Sequence, residues 1–144
     1  MDSHIVVTTC PAESESGTLR VLAQDTLEDV CVLPLYARPT CACIAELQDA
    51  LYVVVGLAAG ATDGKIAAYL WSDGMLHAAW SKHVDDHVCA LTTVSGYLAA
   101  AIGHEVHTYA MEPNALTFRR PWDCAFVSSC LASKGSTLGV GDAR

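Results

Sequence analysis

The sequence predicts an all-β protein: a partial β-propeller with about two complete four-stranded antiparallel blades and incomplete flanking ones. Three observations carry this. First, helical periodicity is almost absent, and short apolar stretches alternate with turn residues along the whole chain, the pattern of hairpin-linked strands. Second, hydrophobic residues make up 52% of the 144 residues and charged residues 17%. The mean hydropathy is +0.32. That excludes a disordered segment, and it suits strands packed on both faces. Third, the strand pattern recurs at about 40–45 residues, the length of a propeller blade.

Taken in order, strands are expected over 4–10, 18–23, 29–35, 41–47, 51–57, 65–71, 75–83, 87–94, 97–102, 105–111, 116–120, 124–131 and 137–141. Residues 11–17 form a polar loop containing Glu13, Ser14, Glu15 and Ser16. Asp63-Gly64 and Asp73-Gly74 read as two-residue hairpin turns, because glycine accepts the positive φ of a primed turn. Ser95-Gly96 is a weaker signal of the same kind, and Pro113-Asn114 interrupts a ladder.

The internal repeat orders these strands. Cys43-Ile44-Ala45 followed by 51–56 resembles Cys89-Ala90-Leu91 followed by 97–103. The offset is 46 at the cysteines and 47 between Gly56 and Gly103. Residues 64–69, a turn and Leu76 resemble 104–109, a turn and Leu116, at an offset of 40, because the loop 58–63 has no counterpart. A third copy starts at Ala125 and reaches Gly141. The chain is thus expected to be a single partial propeller segment over 1–144: a blade end at 4–35, a blade at 41–83, a second at 87–120 and an incomplete one at 124–144. Propellers close with about four to eight blades. A piece of a larger protein or a truncated product is therefore expected, in keeping with a stop at Arg144 directly after an apolar strand.

Charge and cysteine usage narrow the function classes. Eight basic residues against sixteen acidic ones give a net charge of −8, and only Arg119 and Arg120 are adjacent cations. Direct gripping of nucleic acid needs clustered Lys and Arg, so it is not expected. The longest uncharged apolar run, 50–61, has 12 residues, short of the roughly 20 of a spanning helix. Met1-Asp2-Ser3-His4 does not begin a secretory signal, so an intracellular setting is expected. The seven cysteines (Cys10, Cys31, Cys41, Cys43, Cys89, Cys124 and Cys130) are an odd number, read as free and mostly buried thiols.

No chemistry-bearing constellation emerges. Cys41 and Cys43 share a strand face, but no second pair completes a zinc site. His104 and His107 fall on opposite faces of a strand, and His83 and His87 flank Asp85-Asp86 in a solvated loop. The Gly60-to-Lys65 stretch lacks P-loop spacing and the Ser or Thr after its lysine, and reads as a hairpin turn. There is no Gly-x-Ser-x-Gly elbow. The acidic pairs Asp85-Asp86 and Glu28-Asp29 read as solvated turns. Tyr69, Trp71, Trp80 and Tyr109 read as core or cross-strand packing. No catalytic, cofactor-binding or metal-binding residue is assigned, and no cofactor is expected. A free-standing β enzyme with a cysteine nucleophile remains as a contrasting possibility.

Four ordered stretches carry a family resemblance: Asp25-Thr26-Leu27-Glu28 with Val30; 51–58 followed by an acid-containing loop and Gly64-Lys65-Ile66; Val88-Cys89-Ala90-Leu91 with Gly96-Tyr97-Leu98, Ala101-Ile102-Gly103, Val106 and Tyr109; and Lys134-Gly135 with Leu138 and Val140-Gly141-Asp142. Over residues 25–144 the chain resembles the propeller proteins grouped with the large subunit of the UV-damaged-DNA-binding complex. The large subunits of the cleavage and polyadenylation specificity factor and of splicing factor 3b share that architecture. In this family the region lies toward the C-terminal half of a long multi-propeller chain. Residues 71–76 and 134–142 look more like the damaged-DNA-binding subunit, and Ala101-Ile102-Gly103-His104 more like the polyadenylation factor.

The resemblance implies a non-enzymatic scaffold in the nucleus, or in both nucleus and cytoplasm. Its protein partners would be cullin–RING ubiquitin-ligase subunits and substrate receptors in DNA repair. The alternative is RNA-processing factors in pre-mRNA 3′-end formation or splicing. Nucleic acid would be met only through the parent complex, and no membrane is involved. No partner-contacting residue carries over, because the family's contact surfaces are loops and the loops diverge here.

Unpaired edges and uncovered apolar faces lead to one expectation for the chain alone. It should aggregate or fold poorly, and a monomer with a sharp cooperative melt would contradict this.

Overall fold

The computed structural model describes residues 3–124 and 127–142. Among them there is no helix, and every regular element is a strand. The first sheet is formed by β1 (His4–Thr9), β2 (Gly17–Ala23) and β3 (Asp29–Leu35). The second contains β4 (Arg38–Leu47), β5 (Ala50–Ala59), β6 (Asp63–Ser72) and β7 (Met75–Val84). The third contains β8 (Val88–Val94), β9 (Tyr97–Ile102), β10 (Glu105–Glu112) and β11 (Ala115–Asp123). A hairpin of β12 (Cys130–Lys134) and β13 (Thr137–Gly141) forms the fourth. Every ladder is antiparallel and joins strands adjacent in sequence.

The turns follow the residues that permit them. Asp73 and Gly74 take φ of 53° and 72°, and Ser95 and Gly96 take 49° and 80°, as primed two-residue turns require. Pro113-Asn114 links Glu112 to Ala115. Asp63-Gly64 is not a turn: Asp63 pairs with Ala59 and Gly64 with Ala58, and the chain reverses earlier, where Gly60 has φ 84°. Gly64 is needed for a different reason, since a Cβ there would collide with the backbone carbonyl of Asp86. The Gly60-to-Lys65 stretch is therefore a hairpin loop running into β6, with no helix behind it to present amides to a phosphate. A turn without glycine escaped the sequence reading: Gln48 and Asp49 reverse the chain between Leu47 and Ala50 with φ of 50° and 62°.

The strand expected over 124–131 is displaced. Ala125 and Phe126 lie outside the described residues, residues 124 and 127–129 are not strand, and β12 starts at Cys130. The backbone amides of Cys124 and Ser128 donate instead to the carbonyls of His104 and Gly103 (2.9 and 3.3 Å). They close the end of the β9–β10 turn rather than a ladder.

The sheets stack in sequence order and enclose three apolar layers. β5 supplies two of them by alternation: Val53, Val55 and Leu57 meet Leu19, Val21 and Leu35 of the first sheet, while Tyr52 and Val54 meet Leu98, Ala100 and Ile102 of the third. β9 does the same, turning Ala99 toward Leu131, Leu138 and Val140 of the hairpin. Each of the fully buried Val, Leu and Ile side chains in these layers contributes about 1.5–3 kcal/mol.

The stacking is itself repetitive. β4 packs on β8, and β8 on β12. β1 and β2 meet β4 as β5 and β6 meet β8, and β3 meets β7 as β7 meets β11. The first sheet thus occupies the positions of second, third and fourth strands. Register breaks recur at matching places: Val21/Leu22, Ala68/Tyr69 and Thr108/Tyr109 against the last strand of each sheet, and Pro39/Cys41 and Val88/Ala90 in the first strands.

Leu98 is 0% exposed between the second and third sheets, and Met75 is 58% exposed. Leu98→Ala is expected to lower the stability seen in urea unfolding by about 2–5 kcal/mol. Met75→Ala should stay within about 0.5 kcal/mol of the parent chain. Equal losses at both positions would mean that the layer between these sheets is not the core.

Candidate interaction surfaces

The cysteines are all free, but the expectation that most are buried does not hold: only Cys124 is fully buried, five are partly buried and Cys130 is exposed. Cys41 and Cys43 share one face of β4, where they pack against the layer shared with the third sheet. Burial pushes the Cys43 thiol up to about 12, with the neighbouring Cys41 adding to it. Burial raises Cys41 to about 11, although hydrogen bonds from Thr40 and the Gly56 backbone oppose the shift. Cys89 is raised by burial and then by the charge of Asp86. Ligands and nucleophiles must be thiolates, so these environments oppose both roles. Cys124 is buried and accepts a hydrogen bond from Ser128 Oγ (3.2 Å). Cys10 sits in the polar loop and donates toward the carbonyl of Ser14 (3.3 Å). Cys10 and Cys31 are half-buried, and Cys130 is exposed.

The histidines do not converge either. His104 lies in the β9–β10 turn and His107 on β10. His87 Nε2 meets the Gly60 carbonyl (3.0 Å), and its backbone amide donates to Asp86 Oδ1 (2.7 Å). His83 is paired with Lys65 in the β6–β7 ladder. Among the described residues no group of three His, Cys, Asp or Glu side chains is placed to hold a metal ion. Of the acidic pairs, Asp29 forms a surface ion pair with Arg20 (2.6 Å). Tyr69 and Trp71 pack at the joint of the first and second sheets, and Trp80 and Tyr109 at the next.

One polar chain was not anticipated. Glu105, His107 and Tyr109 alternate along β10 and so share one face. His107 Nε2 lies 2.6 Å from Glu105 Oε2, and Nδ1 lies 3.1 Å from the Tyr109 hydroxyl. Phe118 stands edge-on to both rings, and Lys82 Nζ lies 5.9 Å from the Tyr109 ring centre. Burial, then the charge of Asp85, raises the phenol to about 12. The chain gives a polar partner to the tip of a ring that is otherwise core, which is a packing task. Its sequence signal was the period-two spacing Glu-x-His-x-Tyr.

Two sheet faces are left partly uncovered among the described residues. The hairpin β12–β13 packs chiefly on β8 and β9 and reaches Val106 of β10, leaving the β11 side of the third sheet more open. Beside it opens a groove of about 550 Å³ lined by Val106, Thr108, Arg120, Trp122, Leu138 and Val140. Trp122 is 56% exposed. The Arg119 guanidinium lies over Tyr97, 5.7 Å from the ring centre. At the other end of the stack, the far face of the first sheet leaves Ile5, Val30 and Val32 exposed. Single exposed aliphatics are ordinary, and several on one sheet face make it a candidate contact surface. The sequence reading expected open apolar faces without assigning residues to them. Which residues border them depends on how much of the third sheet the hairpin covers.

No known protein family matches the chain, and no curated protein matches it.

Under a thiol reagent at neutral pH, the folded chain should be modified first at Cys130, with Cys41 and Cys43 slower by about tenfold or more. Peptide mass spectrometry over time reads the order. A Cys41 or Cys43 that reacts ahead of Cys130 would favour the cysteine-nucleophile enzyme.

Proposed function

We propose that this chain is a segment of a β-propeller scaffold without catalytic activity. One observation carries the reading: pairing, stacking and register breaks recur together from sheet to sheet, so that each sheet behaves as one copy of a blade-like unit. The first sheet then stands for strands two to four of a blade and the hairpin for strands one and two of another. In support, the cysteines best placed to act together are buried as neutral thiols, and the histidines and carboxylates are dispersed or engaged in packing.

Within this reading, the ordered stretches at 25–30, 51–66, 88–109 and 134–142 favour a relative of the damaged-DNA-binding adaptor. Such a scaffold would dock substrate receptors onto a cullin–RING ubiquitin ligase in the nucleus. A scaffold of pre-mRNA 3′-end processing or splicing is the second reading, favoured by Ala101-Ile102-Gly103-His104. In either case, contact with nucleic acid would pass mainly through partners, as the net charge of −8 suggests.

Purification of the endogenous protein with its partners, followed by mass spectrometry, separates these readings. Cullin-ligase subunits are the expected outcome. Polyadenylation or splicing subunits would transfer the assignment to the second reading, and consistent absence of both sets would sink the scaffold proposal.

A further inference from the structure

The joint between the first and second sheets is not closed along its whole length. β3 stops at Leu35, and the chain crosses to β4 through Tyr36 and Ala37. The end of the second sheet that carries Lys65 and His83 is left open there, as one side of a cleft of about 450 Å³. Alternation brings its polar groups together. Ala67 belongs to the layer shared with the first sheet, so Lys65, two residues away on β6, faces the same side. Their ladder partners on β7, Ser81 and His83, share that face. Tyr69 follows on β6, and Tyr36 enters from the crossing segment.

Small residues make the space. Ala59, Ala67, Ala78 and Ala79 line the cleft, where the same layer further along is filled by Val53, Val55 and Leu76. The result is a flat apolar bed beside the rings of Tyr36, Tyr69 and Trp80. A mostly apolar cleft of this size with a few polar groups to one side is the usual form of a small-ligand site. We propose that it binds an aryl phosphate monoester, with the ring over the alanine bed and the phosphate beside Lys65, Ser81 and His83.

Charge and unused donors select the ligand. The chain carries a net charge of −8, yet no carboxylate lines this cleft. Asp63 at the start of β6 and Asp85 just past β7 lie outside the lining. The adjoining cavity across Tyr36 and Ala37 adds Arg38 and His87, with Glu15 as its carboxylate. Among the described residues, the side chains of Lys65, Ser81, His83, Tyr36 and Tyr69 have no hydrogen-bond or ion-pair partner. An ammonium, an imidazole and a hydroxyl thus offer donors to the three acceptor oxygens of a phosphate monoester. A carboxylate has two oxygens and less charge, and would use this cluster less fully. Burial pushes the Tyr69 phenol up, which keeps it a neutral donor. Tyr36 is 95% exposed, a ring free to meet the ring of a ligand. This goes beyond the scaffold reading and does not depend on it.

The test uses the full 144-residue chain and saturation-transfer-difference NMR, which reads weak binding to an assembled chain as well as to a monomer. Phenyl phosphate is the probe, expected to saturate with a Kd on the order of 0.1–1 mM. Benzoate, and inorganic phosphate read by displacement, should each bind about tenfold more weakly or worse, since each lacks part of the ligand. Lys65→Gln and His83→Gln should each weaken phenyl phosphate by about five- to tenfold. Lys134→Gln, which removes the same charge from the hairpin, should leave binding unchanged. Far-UV circular dichroism verifies that each variant keeps its strands. Tyr36→Ala, at a residue outside the core, should weaken binding by about threefold or more and decides the matter if the strand variants do not fold. N-acetyl-phosphotyrosine amide separates two sources of the ligand. Binding as tight as that of phenyl phosphate assigns it to a phosphotyrosine side chain of a partner, and exclusion assigns it to a free aryl phosphate; both outcomes support the site. Absence of saturation by either aryl phosphate overturns the proposal. So does equal binding of benzoate or inorganic phosphate. Equal responses of Lys65→Gln and Lys134→Gln overturn it as well, since they would mark a general attraction of charge.

Discussion

The structure depends on the burial of its middle strands on both faces. β5 and β9 each lie between two neighbouring sheets, so every residue in their centres must be apolar and of the right size. Val53, Val54 and Val55 run consecutively, as do Ala99, Ala100 and Ala101, and all six are fully buried. A single polar residue in either run would need a hydrogen-bond partner where only side chains of the next sheet are at hand. This constraint accounts for the high apolar content of a small chain. It also accounts for the placing of charge in turns, edge strands and outer faces.

Close stacking imposes a second constraint where strands approach one another's backbone. Gly64 leaves room for the Asp86 carbonyl, and Gly56 leaves room for Val88 and Cys41. The joint between the second and third sheets is also tied by polar contacts. Thr40 Oγ1 donates to the Val88 carbonyl (2.5 Å), and Lys82 Nζ donates to that of Leu116 (3.4 Å). The register breaks recur beside these contacts and add the local twist that lets successive sheets nest. The cysteines of β4 belong to the same joint. They act as small apolar fillers, and their raised pKa values follow from that burial.

Neither uncovered face has the convergent, partly buried polar groups of an enzyme pocket. Each instead has the aliphatic and aromatic surface, bordered by charge, that is common in protein contacts. Trp122 and the arginines beside it are typical of residues that dominate such contacts. The proposed scaffold role draws on this property, the presence of sheet faces without a covering layer among the described residues.

The strand order and most turns were legible in the sequence, because strand period and hairpin chemistry are local. Alternation, Asp73-Gly74, Ser95-Gly96 and Pro113-Asn114 determine their own neighbourhoods with little help from elsewhere. That the thiols are unpaired was legible too, but their burial was not: only Cys124 is fully buried, because the others sit on edge strands, in a loop or at sheet margins that neighbouring sheets cover in part. The reversal at Gly60, the glycine-free turn at Gln48-Asp49 and the release of residues 127–129 from a strand were not. They are decided by what lies opposite in space: the Asp86 carbonyl facing Gly64, and the carbonyls of Gly103 and His104 that accept from the chain after β11. The same holds for the surfaces. Glu105, His107 and Tyr109 became one hydrogen-bonded chain, and Val106, Trp122, Leu138 and Val140 one groove, only when the sheets were stacked. The sequence by itself determined that the chain is all-β and strongly apolar. Tertiary structure alone decided which apolar faces are covered, because coverage depends on contacts between strands far apart in the chain, and those leave no periodic signal in either strand.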